Sequence, residues 1–119
     1  MTRAHFDLAD VTLVNESAQE DAPGDVTLFR TTADACAHLE PWWVDDEEGF
    51  VINGAGQRIL LGHENGRVVP RLRLDAPGGP GLVAAWLQAA VADVRRVRGD
   101  GGPASDDIAD LIEYIGFQG

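Results

Sequence analysis

Few side chains in this sequence are of the types that catalyse reactions, and they stand far apart. The three histidines, His5, His38 and His63, form neither an HxxxH nor an HExxH pair, the spacings at which two imidazoles on one helix bind zinc. Cys36 is the only cysteine, which excludes an intrachain disulfide and a CxxC zinc or redox site. No basic residue is placed to lower the pKa of its thiol, so we interpret Cys36 as a small buried hydrophobic residue. We therefore predict that the protein is not an enzyme.

Two glycine-rich segments lack the residues of nucleotide-binding loops. The segment "GAGQRI" (54–59) lacks the third glycine of a dinucleotide fingerprint and falls between two predicted strands. The segment "APGGPG" (76–81) precedes a predicted helix, as a phosphate-binding loop would. It lacks the Gly-Lys-Ser/Thr ending, however, and its two prolines remove amide donors. We predict that the protein binds no cofactor.

Four carboxylates, Asp45, Asp46, Glu47 and Glu48, follow one another directly. An EF-hand loop instead alternates its ligands around a central glycine and ends in a glutamate. The run does not have this pattern, so we predict a solvated acidic loop and no metal site.

The charge of the chain restricts its partners. Twenty Asp and Glu residues oppose nine Arg residues, which gives a net charge of −11. Such a field repels nucleic acid and anionic membranes, and it attracts cationic partners. The N-terminus lacks the apolar region of a signal peptide, and no apolar run reaches the ~18 residues of a membrane span, so we expect a cytoplasmic protein. The length of 119 residues predicts a single domain, 1–119, with flexible segments at 1–9 and 15–25.

The first part of the chain predicts two strands and a short helix. Residues 10–14 and 25–30 have strand patterns, and the second places Val26 and Leu28 on one face and Phe29 on the other. Thr31 or Thr32 is a suitable cap for the helix that follows. This helix is predicted to end before Pro41, because proline disfavours helical backbone at the residue that precedes it.

Residues 42–74 have the pattern of a β-meander. The segment "WWV" (42–44) is predicted to be extended, and three strands follow, the last two joined by a hairpin turn with an Asn-Gly signal. In the last strand, "RVVPRLRLD" (67–75), alternation predicts one shared face for Val68, Pro70, Leu72 and Leu74. Pro70 cannot donate a ladder hydrogen bond, so it indicates an edge strand or a bulge.

Two helices are predicted at the C-terminal end, a long one over 82–98 and a second one capped by Ser105. The order β, β, α, β, β, β, α, α indicates the α+β class. We predict a single domain with an antiparallel sheet of about four to five strands, a short N-terminal helix and two C-terminal helices packed on one face.

The adjacent tryptophans and the acidic run predict a partner-binding surface. Neighbouring residues of a strand point to opposite faces, so one tryptophan is expected to anchor the first helix to the sheet and the other to lie near the carboxylates. An exposed tryptophan within a charged rim is typical of an interface hot spot. The predicted partner-binding residues are Trp42, Trp43, Asp45, Asp46, Glu47 and Glu48, with Trp43 taken as the contact beside the four carboxylates. In the alternative interpretation, loops or the C-terminal helices cover both tryptophans.

Residues 28–62 resemble a pattern in small acidic bacterial immunity-type proteins encoded beside polymorphic toxins. The motif consists of Leu39, Glu40, Pro41, Trp42 and Val44, then Gly56, Arg58 and Leu60. The resemblance implies a protein that neutralises a cognate toxin by direct binding, with no catalytic group of its own. The expected partner is a protein toxin with a basic surface, and the expected state is a monomer or a weak homodimer.

Two other functions stay open. A small-molecule-binding or regulatory domain would have a pocket between sheet and helices, lined by Trp86 and Tyr114. A cryptic enzyme would need an acid–base pair that the fold brings together from distant positions. Ligand-dependent thermal stabilisation without a protein partner would favour the first of these.

Overall fold

Five antiparallel strands form one sheet in the order β2-β1-β3-β4-β5, in a computed structural model that describes residues 7–16, 25–46, 49–75 and 79–118. The strands are β1 (Thr12–Asn15), β2 (Val26–Phe29), β3 (Phe50–Asn53), β4 (Gln57–Glu64) and β5 (Arg67–Asp75). The helices are α1 (Thr32–His38), α2 (Pro41–Asp45), α3 (Gly79–Arg98) and α4 (Ile108–Ile115).

The predicted α+β class with an antiparallel sheet is confirmed, and the described residues form one compact domain. Asn15 belongs to β1 and is buried, although it begins the second segment that we predicted to be flexible. Residues 1–6 and 17–24 lie outside the described residues, so their predicted flexibility stays a prediction.

Helices cover both faces of the sheet and create two apolar cores. Leu13, Leu28 and Ile52 point to the face on which α3 and α4 pack, which we call the α3 face. Val14, Phe29 and Val51 point to the opposite face, on which α1 and α2 pack, which we call the α1 face. The predicted division of Leu28 from Phe29 is thereby confirmed, because strand side chains alternate between the two faces.

Helix α1 begins and ends where its sequence predicts. The Thr31 hydroxyl accepts a hydrogen bond from the backbone N–H of Asp34 (3.1 Å), which satisfies a donor that the first turn leaves open. The backbone turns extended at Leu39, two residues before Pro41. Leu39 is buried on the α1 face, so the end of the helix also contributes to that core.

Residues 41–45 form the helix α2, so the prediction that "WWV" is extended is wrong. Proline is unfavourable within a helix, but at the first helical position its missing N–H is one that no intrahelical acceptor would bind. Glu40 is extended, as the residue before a proline should be, and Pro41 then begins a new helix. Pro41 therefore ends α1, as predicted, and also occupies the first turn of a second helix.

The β4–β5 hairpin has the predicted turn and an irregularity that alters its faces. Asn65 and Gly66 have φ angles of 52° and 76°, the left-handed pair that a two-residue type I′ turn requires. Pro70 pairs with Leu61 and Leu72 pairs with Leu60, so Arg71 is an extra residue between them.

This bulge reverses the alternation of β5. Val68 and Pro70 share the α1 face, as predicted. Leu72 and Leu74 pair with residues of β4 on the opposite, α3 face, so the prediction that all four residues share a face is wrong.

The C-terminal helices form the largest part of the core. The buried side chains of α3 recur at helical spacing: Val83, Trp86, Leu87, Ala90 and Val91. Gly99 ends α3 with a φ of 70°, as predicted. Helix α4 begins after Asp107 rather than at Ser105, whose hydroxyl instead accepts from the Asp107 N–H (3.1 Å).

In the part of the chain that the structure describes, none of the helices is long and apolar enough to cross a membrane.

Candidate functional site

The short helix α2 brings an aromatic side chain and two carboxylates onto one outward face. Trp42, Asp45 and Asp46 are related by the i, i+3 and i+4 spacing at which side chains on a helix become neighbours. Trp42 keeps 57% of its surface exposed, although tryptophan is one of the largest apolar side chains. We call these three residues the α2 surface. In an extended chain Trp42 and Asp45 would point to opposite sides, so the helix is what unites them.

Trp43 is not part of this surface. It is 7% exposed and packs in the core of the α1 face with residues that include Cys36, Leu39 and Ile59. A Cβ placed on Gly49 would lie 2.9 Å from Trp43 Cζ2 and 2.1 Å from the Asn15 carbonyl oxygen, so only glycine fits against the indole there. The prediction that Trp43 contacts the partner is therefore wrong, because its position on α2 turns it towards the sheet.

Asp45 ties the α2 surface to the sheet. The imidazole Nε2 of His63, on β4, lies 2.9 Å from Asp45 Oδ1 and 3.2 Å from Oδ2. Both side chains are substantially exposed, and an exposed pair of this kind contributes only about 0–1 kcal/mol to stability. It joins α2 to β4 through one exposed side-chain contact. Sequence reasoning missed this pairing, because the two residues are 18 positions apart in the chain.

The charges of the α2 surface stand at the C-terminal end of the helix. The Asp46 N–H donates to the Trp42 carbonyl oxygen (2.9 Å) and closes the last turn. Carboxylates at this end gain no stabilisation from the helix dipole, which favours cations there. Asp45 and Asp46 therefore add negative potential outside the protein without stabilising α2. Glu47 and Glu48, also predicted to bind the partner, lie outside the described residues.

Two clefts lie beside the sheet, and the first has residues of both sheet faces in its lining. One, of about 480 Å³, lies where β3 and β4 diverge, beside α2, and is lined by Trp43, Phe50, Arg58 and Leu60 among others. The other, of about 610 Å³, lies between α1 and the start of β5 and is lined in part by Cys36 and Val68.

Neither cleft is the pocket, lined by Trp86 and Tyr114, that the alternative small-molecule-binding function predicted. Trp86, on α3, is completely buried between that helix and the sheet. The Tyr114 hydroxyl donates a hydrogen bond to Asp100 Oδ1 (2.5 Å). Neither residue lines either of the two clefts. The apolar side chains of α3 pack on the sheet instead.

Cys36 and His38 both pack against the rest of the protein. Cys36 is buried as predicted, and burial raises the pKa of its thiol, which disfavours the reactive thiolate. The His38 ring lies 5.2 Å from the Phe29 ring, centroid to centroid. Among the described residues, no three His, Cys, Asp or Glu side chains are grouped closely enough to hold a metal ion.

Sequence reasoning also missed an apolar surface on the α3 face of the hairpin. Leu60, Leu72 and Leu74 point to this face and keep 40%, 51% and 44% of their surfaces exposed. We call these three residues the leucine patch. The only sequence signal for it was Pro70, which indicated a bulge without fixing its position or its effect on the alternation.

Comparison with known protein families, with curated proteins and with solved structures finds no match to this chain.

Proposed function

We propose that this protein is a binding module of the immunity type, which neutralises a basic protein toxin by direct contact through the α2 surface. The observation that carries the proposal is the exposure of Trp42 beside Asp45 and Asp46 on one face of α2. Interface hot spots have this composition, an aromatic anchor within a charged rim.

The charge of the chain supports the same proposal. A net charge of −11 attracts a cationic partner from a distance and accelerates encounter, while apolar contact at Trp42 slows dissociation. Asp45 and Asp46 add to that field from the end of α2. A protein that neutralises by binding needs a rigid scaffold for such a surface, and the buried Trp43 holds α2 on the sheet.

The resemblance of residues 28–62 to immunity-type proteins gives the proposal its biological class. Its motif residues Pro41 and Trp42 are the ones that start α2 and form its exposed anchor. Leu39 and Val44 pack towards the core on the α1 face. The motif thus contains both the supports of the α2 surface and its central contact.

The test is co-expression with the product of the adjacent gene, followed by affinity purification and a growth assay. We expect a stable one-to-one complex and restored growth. Trp42→Ala should weaken the complex by about 2 kcal/mol or more, about thirtyfold, as truncation of a hot spot does. Asp45→Asn with Asp46→Asn should mainly slow association and reduce its dependence on salt.

A matched control removes the same number of charges elsewhere. Asp106→Asn with Glu113→Gln changes two exposed carboxylates on the side of α3 and α4 and leaves α2 intact. This variant should associate almost as fast as the wild type. A neighbour that is not toxic and forms no complex would reject the immunity function, and a complex indifferent to Trp42→Ala would reject the α2 surface.

A second candidate function is small-molecule binding in the cleft beside α2. Its volume of about 480 Å³ is within the range of ligand sites, and Trp43 forms part of its wall. A ligand bound there should raise the melting temperature of the isolated protein and change Trp43 fluorescence. The Trp42→Ala variant should respond to such a ligand as the wild type does, which separates the two functions.

A further inference from the structure

The leucine patch lies on the half of the α3 face that no helix of the described chain covers. Helices α3 and α4 pack over β1, β2 and β3, where Leu13, Leu28 and Ile52 are fully buried. The α3 face of β4 and β5 continues the same surface, yet its leucines are about half exposed. Leucines exposed side by side on one face make this surface a candidate interaction site.

The bulge at Arg71 creates this patch. Without the extra residue, Leu72 and Leu74 would share the α1 face with Val68. Gly62 adds to the arrangement, because a Cβ there would lie 2.5 Å from Arg71 Nε. The arginine side chain therefore lies across Gly62, and Arg71 Nη1 donates to Glu64 Oε1 (2.8 Å).

Arginines predominate around the leucines, in contrast to the rest of the chain. The α3 face of this hairpin presents Arg67 and the bulged Arg71 beside the carboxylate of Glu64. Glu64 is already paired with Arg71. In a chain of net charge −11, this face is locally basic, so it complements an acidic partner and not the basic partner proposed for the α2 surface.

We propose that the leucine patch binds a second protein partner, an amphipathic helix with a leucine-type stripe flanked by carboxylates. A helix is the element that fits, because helices already form this layer over the neighbouring half of the sheet face. Carboxylates fit the arginine rim. An identical copy of this chain, patch against patch, would instead bring arginines against arginines. Because α2 packs on the opposite face of the sheet, both partners can bind at once.

The test uses two designed peptides of about 16 residues with leucines at helical spacing, one with glutamates beside the stripe and the other with lysines in their place. The full chain is titrated with each labelled peptide at low ionic strength and fluorescence anisotropy is measured. We expect the glutamate peptide to bind with a Kd below about 100 μM, weakening with added salt, and the lysine peptide to bind at least about tenfold more weakly.

Variants assign the binding to the patch. The double variant Leu72→Ser with Leu74→Ser changes side chains that are about half exposed. It should bind the glutamate peptide at least about tenfold more weakly than the wild type does. Arg67→Gln changes charge alone and should reduce the salt dependence. Val97→Ser is the matched control, because Val97 is exposed on α3 away from the sheet, and it should bind as the wild type does.

Three peptide-binding results would each overturn the proposal. The first is that the glutamate peptide does not bind, and the second is that the lysine peptide binds as tightly as the glutamate peptide. The third is that the serine variant binds the glutamate peptide as tightly as the wild type does. Sedimentation that shows a wild-type dimer abolished by the serine changes would assign the patch to a second copy and would also overturn it. Trp42→Ala should leave peptide binding unchanged, so failure here and failure of the α2 surface are distinguishable.

Discussion

Trp42 and Trp43 are adjacent in the chain but lie on different faces of α2, one with 57% of its surface exposed and the other with 7%. A helix rotates neighbouring residues by about 100°, which is enough to separate a surface residue from a core residue. Trp43 holds α2 on the sheet, and the fixed helix then presents Trp42 to solvent with two carboxylates beside it. In this stretch Trp43 therefore belongs to the core, whereas Trp42 and the carboxylates beside it form a surface.

The two tryptophans should differ sharply in what they contribute to stability. Trp43→Ala leaves a cavity in the core of the α1 face and should cost about 3–5 kcal/mol of unfolding free energy. Trp42→Ala removes exposed surface and should change it by no more than about 0.5 kcal/mol. Urea denaturation of both variants measures these values. Equal losses would mean that the two indoles are equally buried.

The glycine beside Trp43 should resist substitution for a steric reason. In Gly49→Ala the new Cβ would lie 2.1 Å from a backbone oxygen, that of Asn15, which a side-chain rotation cannot relieve. We expect a loss of about 2 kcal/mol or more in unfolding free energy. Gly81→Ala is the control, because nothing lies within 4 Å of a Cβ in that first turn of α3.

The Gly81→Ala control should unfold with the same free energy as the wild type or with up to about 1 kcal/mol more, because alanine favours helix over glycine. Thermal unfolding of the two variants under identical conditions makes the comparison. A Gly49→Ala protein as stable as the wild type would show that Gly49 is less closely packed against β1 and α2 than the structure has it.

The sequence predicted those parts of the fold in which local signals agree. Thr31 caps α1, Asn65 and Gly66 make the hairpin turn, and the apolar spacing around Trp86 specifies the buried stripe of α3. Each of these depends on residues within a few positions of one another. Local spacing also placed Leu28 and Phe29 on opposite faces correctly.

The parts that were predicted wrongly depend on pairing or on very short elements. Helix α2 has five residues, too few for periodicity to distinguish it from a strand, and Pro41 is compatible with ending or starting a helix. The bulge at Arg71 is determined by where β4 pairs with β5, information that alternation within one strand does not contain. Both candidate surfaces arise at these two places, Trp42 on α2 and Leu72 beyond the bulge.

A buried amide organises the turn between β3 and β4. Asn53 Oδ1 accepts from the N–H groups of Ala55 (3.1 Å) and Gln57 (2.9 Å), and its Nδ2 donates to the Ala9 carbonyl oxygen (3.1 Å). Asn53→Ala would leave these groups without the amide in a buried site, so we expect a loss of about 2–4 kcal/mol. Gln88→Ala, which removes an exposed hydrogen bond, should cost no more than about 0.5 kcal/mol.

Hydrogen exchange locates the effect of the Asn53 change. The Ala55 and Gln57 amides should lose protection well before those of α3, because the turn opens locally when its side-chain acceptor is removed. Uniform loss of protection across the sheet would indicate instead that Asn53 acts on global stability alone.

The single tyrosine of the chain reports on the contact between α4 and the end of α3. Tyr114 donates to Asp100 Oδ1 (2.5 Å), and this hydrogen bond, followed by desolvation, raises the pKa of Tyr114 above its ordinary 10.0. The same bond, with a second from the Gly102 N–H, lowers the pKa of Asp100 below 3.8.

The two shifts predict opposite limits of pH for this contact. A raised tyrosine pKa stabilises the folded state below pH 10, and that contribution is lost as the pH rises through the folded value. A lowered aspartate pKa stabilises it above pH 3.8, and that contribution is lost as the pH falls through the folded value. The contact should therefore be complete at neutral pH and weaken at both extremes.

Ultraviolet titration measures the alkaline limit directly, because Tyr114 is the only tyrosine in the sequence and the tyrosinate signal is therefore its own. The midpoint should lie above 10.0 in the wild type and return towards that value in Asp100→Asn, which replaces the carboxylate that accepts the hydrogen bond and also removes its charge. Asp106→Asn, an exposed carboxylate elsewhere, should leave the midpoint where the wild type has it. A wild-type midpoint at the ordinary value would mean that α4 is not held to the end of α3 by this bond in solution.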